Sequence, residues 1–357
     1  VIAAFADTAS QGGVGSGAAP LVTGQSVHHA AAESAIARWK GTEAAVLLGS
    51  GFAANSATIA TLAAIGQSRG TVRFLIDKLC HASLVDAVRA AESPLCFFRV
   101  FPHNGLDKLR RLLSDTDPGE LQVVVTESIF SMDGDAANLP GLAQLRDEFG
   151  CLLLVDEAHA AGVYGPGGAG LATELGVLAD LSVVTLSKAV GVVGGAVCGS
   201  ADWVEAVVNF GRPYVFSTAL PPAVAAAATA AIQVMADEPH RQARVRDLSR
   251  RVRTQLAATG LKLPPGDSPI IPIVLGDESA ALAAADRLRD AGMLVAAIRP
   301  PTVARGTSRL RVTLSCEHTD QEVQALISAV IVTVAGMATT SDAAAAAVTS
   351  AAVSPRV

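Results

Sequence analysis

Lys188 follows directly on an apolar run, Leu181-Ser182-Val183-Val184-Thr185-Leu186-Ser187, with a glycine-rich stretch from Gly191 to Gly195 close behind. Upstream, a second apolar run from Leu152 to Val155 ends in Asp156. Charges at the ends of buried strands are poorly placed unless they have work to do. A lysine amine can form a Schiff base with an aldehyde. An acid can hold a pyridine nitrogen protonated, so that the ring accepts electrons. The pair points to pyridoxal 5'-phosphate as cofactor, with Lys188 and Asp156 as catalytic groups.

Other residues fit the same chemistry, each beside a plainer reading. Thr185 can donate to a phosphate. Ser50-Gly51-Phe52-Ala53-Ala54-Asn55 reads as a strand-to-helix turn, where backbone N–H groups favour a phosphate and Gly51 permits close approach. It could equally be an ordinary glycine turn. His81 lies between a strand and a helix and can stack flat on a pyridine ring, or simply cap the helix. His159 and Ser131 can approach the ring hydroxyl, or serve as a capping histidine and a turn serine. Asp156-Glu157-Ala158-His159 also spells a helicase motif, but no G-x-x-x-x-G-K-[ST] phosphate loop accompanies it. Gly13-x-Gly15-x-Gly17 follows no strand and carries little weight as a dinucleotide signal. No metal site is expected.

Strands and helices must bring these groups together. Strands are expected at Val46–Leu48, Val72–Ile76, Leu95–Val100, Val123–Thr126, Leu152–Val155 and Val183–Leu186, with helices between them such as Ser83–Ala91 and Asp107–Leu113. This alternation predicts an α/β fold with a mainly parallel sheet covered on both faces. Ligands bind such sheets beyond the strand carboxyl ends, where Asp156 and Lys188 fall. A polar helix from about Glu238 to Ala258 leads into a smaller α+β domain, with strands at Ile270–Leu275 and Leu310–Leu314 and helices at Ala280–Ala291 and Asp320–Val334. The expected division is a large domain over 1–237, a small one over 238–336, and a disordered tail over 337–357 rich in Ala, Thr and Ser.

Composition narrows the class. A net charge of −6 argues against nucleic-acid binding. Five dispersed cysteines without a C-x-x-C predict reduced thiols in a cytoplasmic protein. Two uncharged runs, Ala44 to Ser68 and Tyr214 to Ala236, are interrupted by Gly, Asn or Pro and predict core elements rather than membrane spans. No export signal is evident, and the chain opens at Val1 inside a helical pattern, so a preceding segment is expected.

Taken in order, the motifs resemble the α-oxoamine synthases, fold-type I pyridoxal-phosphate enzymes. The likeness runs from about Gly13 to about His318 through Leu21-Val22-Thr23-Gly24, Ser50 to Asn55, His81 to Leu84, Glu127 with Phe130 to Gly134, Asp156 to His159 and Thr185 to Lys188. It continues through Phe216 to Pro222, Arg299 to Val303 and Gly306 to Arg311. The resemblance implies that Lys188 carries the cofactor, Asp156 holds the pyridinium, and His81 stacks on the ring. It further implies that Ser131 and His159 contact the ring hydroxyl, and that Thr185 binds phosphate with the backbone of Gly51 and Phe52. Ser217 and Thr218 resemble the segment that reaches a neighbouring subunit's phosphate, which implies a homodimer with shared sites. Thr302 and Arg311 fall on the substrate side. Arg299-Pro300-Pro301-Thr302 resembles the members that use L-alanine and a pimeloyl thioester. Glycine-using sister synthases, a plain aminotransferase and a non-catalytic member stay open as alternatives. The chain departs from the family at Ala19-Pro20, Ala160 and Ala169, and the family's N-terminal substrate arginine has no counterpart in it.

Overall fold

The computed structural model describes residues 1–117 and 119–351, with side chains through Gly336. Among the described residues ten strands form two sheets. The larger has seven: β1 (Ala44–Leu48), β2 (Val72–Asp77), β3 (Cys96–Phe101), β4 (Leu121–Glu127), β5 (Leu152–Asp156), β6 (Leu181–Thr185) and β7 (Gly195–Gly199). The smaller has three: β8 (Ile270–Gly276), β9 (Ala296–Ile298) and β10 (Ser308–Thr313).

Two compact units hold these sheets. The first is Val1–Phe130 with Ala136–Gln242; the second is Ser131–Asp135 with Ala243 onward. The tail expected over 337–357 lies outside the residues whose side chains are described.

In the first unit the strand order is β1-β7-β6-β5-β4-β2-β3. Neighbours from β6 through β3 pair in parallel. Strand β2 is buried at every residue, the mark of a strand covered on both faces. The helix Gly51–Arg69 lies among the coverings, and its buried face includes Ala54, Ala57, Ile59 and Leu62.

Strand β7 departs from expectation. The glycine-rich stretch after Lys188 ends in a strand that runs antiparallel between β6 and β1. It reads poorly as a strand because Gly195 has no side chain to signal one. Its smallness has a packing reason: a Cβ there would lie 2.5 Å from the Gly51 nitrogen. The hairpin joining β6 to β7 carries Lys188, and Leu186 N–H donates to the Gly194 carbonyl across it at 2.9 Å.

The uncharged runs resolve as expected into β1 with the helix Gly51–Arg69, and into the helices Arg212–Val215 and Pro222–Asp237. No helix among the described residues is long and apolar enough to cross a membrane. Ala223, Ala225, Ala227, Ala228 and Ala231 are buried along the Pro222 helix. Small side chains there allow close backbone approach, which is how so alanine-rich a chain fills a core.

One buried ion pair braces the sheet from behind the strand ends. Lys40, at the end of the helix Val27–Lys40, donates to the Glu157 carboxylate and to the Ala169 carbonyl. Glu157 also accepts from Ala172 N–H at 2.9 Å. Trp39 Nε1 donates to the Gly167 carbonyl at 2.8 Å. The glycine-rich turn Gly165–Gly170 is thereby tied to the residue that follows Asp156.

In the second unit, β10 pairs antiparallel with β8 on one side and β9 on the other. Strand β9 is only three residues long and escaped the sequence reading. Leu248, Val252, Leu256, Ile271, Ile273, Leu310, Val312, Val323 and Ile327 are buried in this unit.

All five cysteines are free thiols, and only Cys316 is partly exposed. Burial pushes the Cys198 thiol up to about 12, and the Cys96 and Cys151 thiols to about 11. A thiol-specific reagent at neutral pH should therefore label Cys316 quickly and the other four only on unfolding, which mass spectrometry of the labelled protein would read. Replacing Glu157 by Gln should cost about 3–5 kcal/mol in urea unfolding, because Lys40 would be left charged and buried.

Candidate active site

The site is built at the carboxyl ends of the parallel strands of the first unit. Asp156 closes β5 and is 5% exposed. A buried carboxylate needs donors, and the sequence supplies two. Ala158 N–H donates to Oδ1 at 2.9 Å, a local turn bond two residues on. Asn55 Nδ2, from the helix Gly51–Arg69, donates to Oδ2 at 2.7 Å.

The same Asn55 amide donates to Ser83 Oγ at 2.9 Å. Ser83 Oγ lies 2.8 Å from His81 Nδ1, and Ser83 N–H donates to that nitrogen at 3.2 Å. A connected chain His81–Ser83–Asn55–Asp156 results. An Nδ1 that accepts from a main-chain N–H leaves a neutral ring's proton on Nε2. His81 stands at the N-cap of the helix Ala82–Ala90 with its side chain exposed, so the ring is oriented by its own helix start.

Lys188 and His159 meet on the same side of the sheet. Lys188 Nζ lies 3.0 Å from His159 Nε2, which joins the loop after β6 to the loop after β5. Thr185, the last residue of β6, has its Oγ1 3.1 Å from Ser187 Oγ. Gly51 packs against it: a Cβ at Gly51 would fall 3.0 Å from Thr185 Cβ. Ser50 caps the helix by accepting from Ala53 N–H at 3.1 Å, leaving the first-turn N–H groups of Gly51 and Phe52 directed out of the helix start. A phosphate is matched by such a turn together with a threonine hydroxyl.

Pyridoxal phosphate fits these residues. Among the described residues Asp156 takes part in no ion pair, and both of its hydrogen-bond donors are neutral. A pyridinium N–H would supply the missing cation. Lys188 offers the amine, His81 a flat face, His159 a ring nitrogen, and Thr185 with Gly51 and Phe52 a phosphate cradle.

The structure gathers Gly51, Phe52, His81, Asp156, His159, Thr185 and Lys188 on the first unit. Ser217 and Thr218 lie exposed on the turn before the Pro222 helix. That turn is held to Ala18 and Ser16, through Ala219 N–H to the Ala18 carbonyl at 2.9 Å and Ser16 Oγ to the Ala219 carbonyl at 2.6 Å. Ser131, Thr302 and Arg311 belong to the second unit. There Arg311 Nε donates to the Ser131 carbonyl at 2.7 Å, and burial draws the guanidinium below its ordinary range. Thr302 is exposed, its N–H bonded to the Arg299 carbonyl at 3.1 Å.

Asn55 and Ser83 carry more of the site than the sequence reading assigned them. Nothing local marks either, since their partners lie 101 and 28 residues apart along the chain.

Fold and strand-end groups together define a class, and the chain belongs to the class I and II aminotransferase family, whose model matches residues 2–330. Within that class it is similar to 8-amino-7-oxononanoate synthases. The Anaeromyxobacter dehalogenans relative is 47% identical over 92% of this chain and 81% of its own length. The Sodalis glossinidius relative is 44% identical over 92% and 82%. Among solved structures, one of SPT with a PLP internal aldimine superposes with a TM-score of 0.86 at 30% identity, covering 93% of this chain and 82% of the other. The 8-amino-7-oxononanoate synthase of Francisella tularensis superposes with a TM-score of 0.78 at 26% identity, over 94% and 93%.

Replacing Asn55 by Ala removes the side-chain donor to a buried carboxylate. We expect a loss of about 1.5–3 kcal/mol in unfolding free energy, the usual range for a hydrogen bond to a charged group. Cofactor titration followed by absorbance should show weaker binding at the same time.

Proposed function

We propose that this chain is a pyridoxal-phosphate-dependent acyltransferase that condenses L-alanine with a pimeloyl thioester. The products are 8-amino-7-oxononanoate, carbon dioxide and the free thiol, a step of biotin synthesis. One observation carries the reading. The amine of Lys188, 3.0 Å from His159, and the buried Asp156 carboxylate stand at the ends of adjacent parallel strands, in a chain 47% identical to a synthase of that name.

When bound, the cofactor supplies an aldehyde to capture the amino acid and a ring that spreads the charge left at its α carbon. The protein's groups supply the rest. Asp156, kept in place by Asn55 and Ala158, would hold the ring nitrogen's proton. Thr185 and the N–H groups of Gly51 and Phe52 would anchor the phosphate. His81 would cover the ring, and His159 with Ser131 would meet its hydroxyl. Lys188, once released from the aldehyde, is the base that takes the α proton and the acid that returns one. Between those two transfers the α carbon forms a bond to the thioester carbonyl, the C–S bond breaks, and the carboxylate leaves as carbon dioxide. Thr302 and Arg311 fit the substrate side, where a guanidinium suits a carboxylate. A homodimer sharing sites through Ser217 and Thr218, located in the cytoplasm, completes the reading.

A second reading has its own support. A serine palmitoyltransferase from Sphingomonas wittichii superposes with a TM-score of 0.85 at 31% identity. That chemistry exchanges alanine and the pimeloyl group for serine and a longer acyl chain on the same protein groups. The higher sequence identity favours the alanine enzyme.

The test is thiol release by the cofactor-loaded chain. Pimeloyl-CoA with L-alanine should give release, and glycine in place of alanine should give little. L-Serine with palmitoyl-CoA as the productive pair would overturn the assignment in favour of the second reading. Lys188→Ala should abolish both release and the Schiff-base absorbance.

A further inference from the structure

The cofactor site uses one strand-end acid, yet three close neighbouring strands. Asp77 closes β2, Glu127 closes β4 and Asp156 closes β5, and β4 runs between the other two. Glu127 stands in direct register with Asp156, whereas Ile76 pairs with Val125, so Asp77 is level with Thr126 and on the opposite face of the sheet from Glu127. All three are buried, at 2%, 2% and 5% exposure for Asp77, Glu127 and Asp156.

The flanking acids have donors for their charge. Asp77 accepts from Leu79 N–H at 2.9 Å and Asn104 N–H at 3.0 Å, and it pairs with His103 at 3.1 Å. Asp156 has Asn55 and Ala158. Glu127 differs. Its carboxyl is hydrogen-bonded by the His81 main chain. Its Oε1 is buried, with no partner among the described residues. An ionised carboxylate with one bare buried oxygen, in register beside Asp156, is the costliest arrangement of the three.

We propose that Glu127 is a positioning residue held as the neutral acid, which hooks the His81 main chain and leaves Asp156 as the one carboxylate presented to the cofactor. The proposal rests on the cofactor reading above for its second half, and for its first on the burial of Glu127, its bare Oε1, its register beside Asp156 and the His81 main-chain interaction. The electrostatics agree. Burial, and then the Asp156 charge, drives the Glu127 carboxyl well above the carboxylate range; the His81 main chain and the Lys188 charge oppose this, and Asp77 adds to it. The neighbouring Cys80 thiol, wholly buried, is raised mainly by burial and then by Glu127, Asp77 and Asp156, so it brings no positive charge to the cluster.

A neutral middle acid has a use. The His81 ring is oriented by the start of its helix, and the hook fixes that start to β4. A second anion beside Asp156 would favour the protonated form of the lysine–aldehyde imine. A neutral acid holds the same geometry without that bias.

Glu127→Gln keeps an acceptor for the His81 N–H and carries no charge, whereas Glu127→Ala removes the hook. The infrared difference between wild-type and Glu127→Gln apoprotein at neutral pH should contain the C=O stretch of a protonated carboxyl. Carboxylate bands in its place would overturn the neutral acid, whatever the cofactor does. In the loaded protein, the imine pKa read by absorbance should shift by less than about 0.3 in Glu127→Gln. A fall of about one unit or more would mean that an anion had been removed, and would overturn it as well. Glu127→Ala should lower kcat/KM for the amino acid by about 10–100-fold, with most of that loss restored in Glu127→Gln. Equal losses in the two variants would overturn the hook. A wild-type protein that forms no imine would count against the cofactor reading instead, and the infrared result would still decide the state of Glu127.

Discussion

The hydrogen bond from Asn55 Nδ2 to Asp156 Oδ2, at 2.7 Å, is the constraint from which the active face is organised. A carboxylate at the end of a buried strand keeps its charge only if donors are already in place when the ligand arrives. Asn55 meets that need from a helix start, and its other contact, to Ser83, passes the constraint to His81. The positions of the strand-end carboxylate and of the His81 imidazole are therefore linked through a single amide. Behind this amide stand the helix Gly51–Arg69, whose first residue packs tightly against Thr185, and Gly195, where a Cβ would collide with the Gly51 backbone. The glycine start of this helix and the strand-end acid are parts of one packing arrangement.

Much of this could be read from the chain. Apolar runs ending in Asp156 and Lys188 identify strand ends, because a buried strand has no reason to finish in a charge. The chemistry follows from those two residue types. What escaped had weak local signals. Strand β7 has small side chains because it packs against a helix start, so the reason for its sequence lies outside the strand. Strand β9 is too short for alternation to register. Asn55 and Ser83 act across long stretches of chain, and a polar residue whose partner is far away in sequence looks like any other polar residue. Glu127 stood out only within a motif of the family resemblance, and only the strand register reveals that it stands beside Asp156.

The buried ion pair of Lys40 with Glu157 plays a supporting part of another kind. It adds little net stability compared with an apolar pair of similar size. Its geometry is more demanding, since the lysine must satisfy a carboxylate and a carbonyl at once. Ala169 contributes that carbonyl through its backbone, so its side chain takes no part in this contact. Glu157 follows Asp156 directly, and a demanding partner at one residue restricts the backbone of the next.

Lys188 is mounted on a hairpin, in a sheet whose other strands from β6 to β3 pair in parallel. Parallel strands are joined by long crossovers, whereas this connection closes within residues 186–194, with Leu186 bonded across to Gly194 and Gly191 N–H bonded back to the Lys188 carbonyl. The amine thus rides on a stiff anchor with a flexible tether: the backbone is tied by the bonds across the loop, and the reach of Nζ comes from its own side-chain torsions. A group that must let go of one partner, swing to a proton and return gains from that division of labour, because each excursion starts and ends at a base that has not moved.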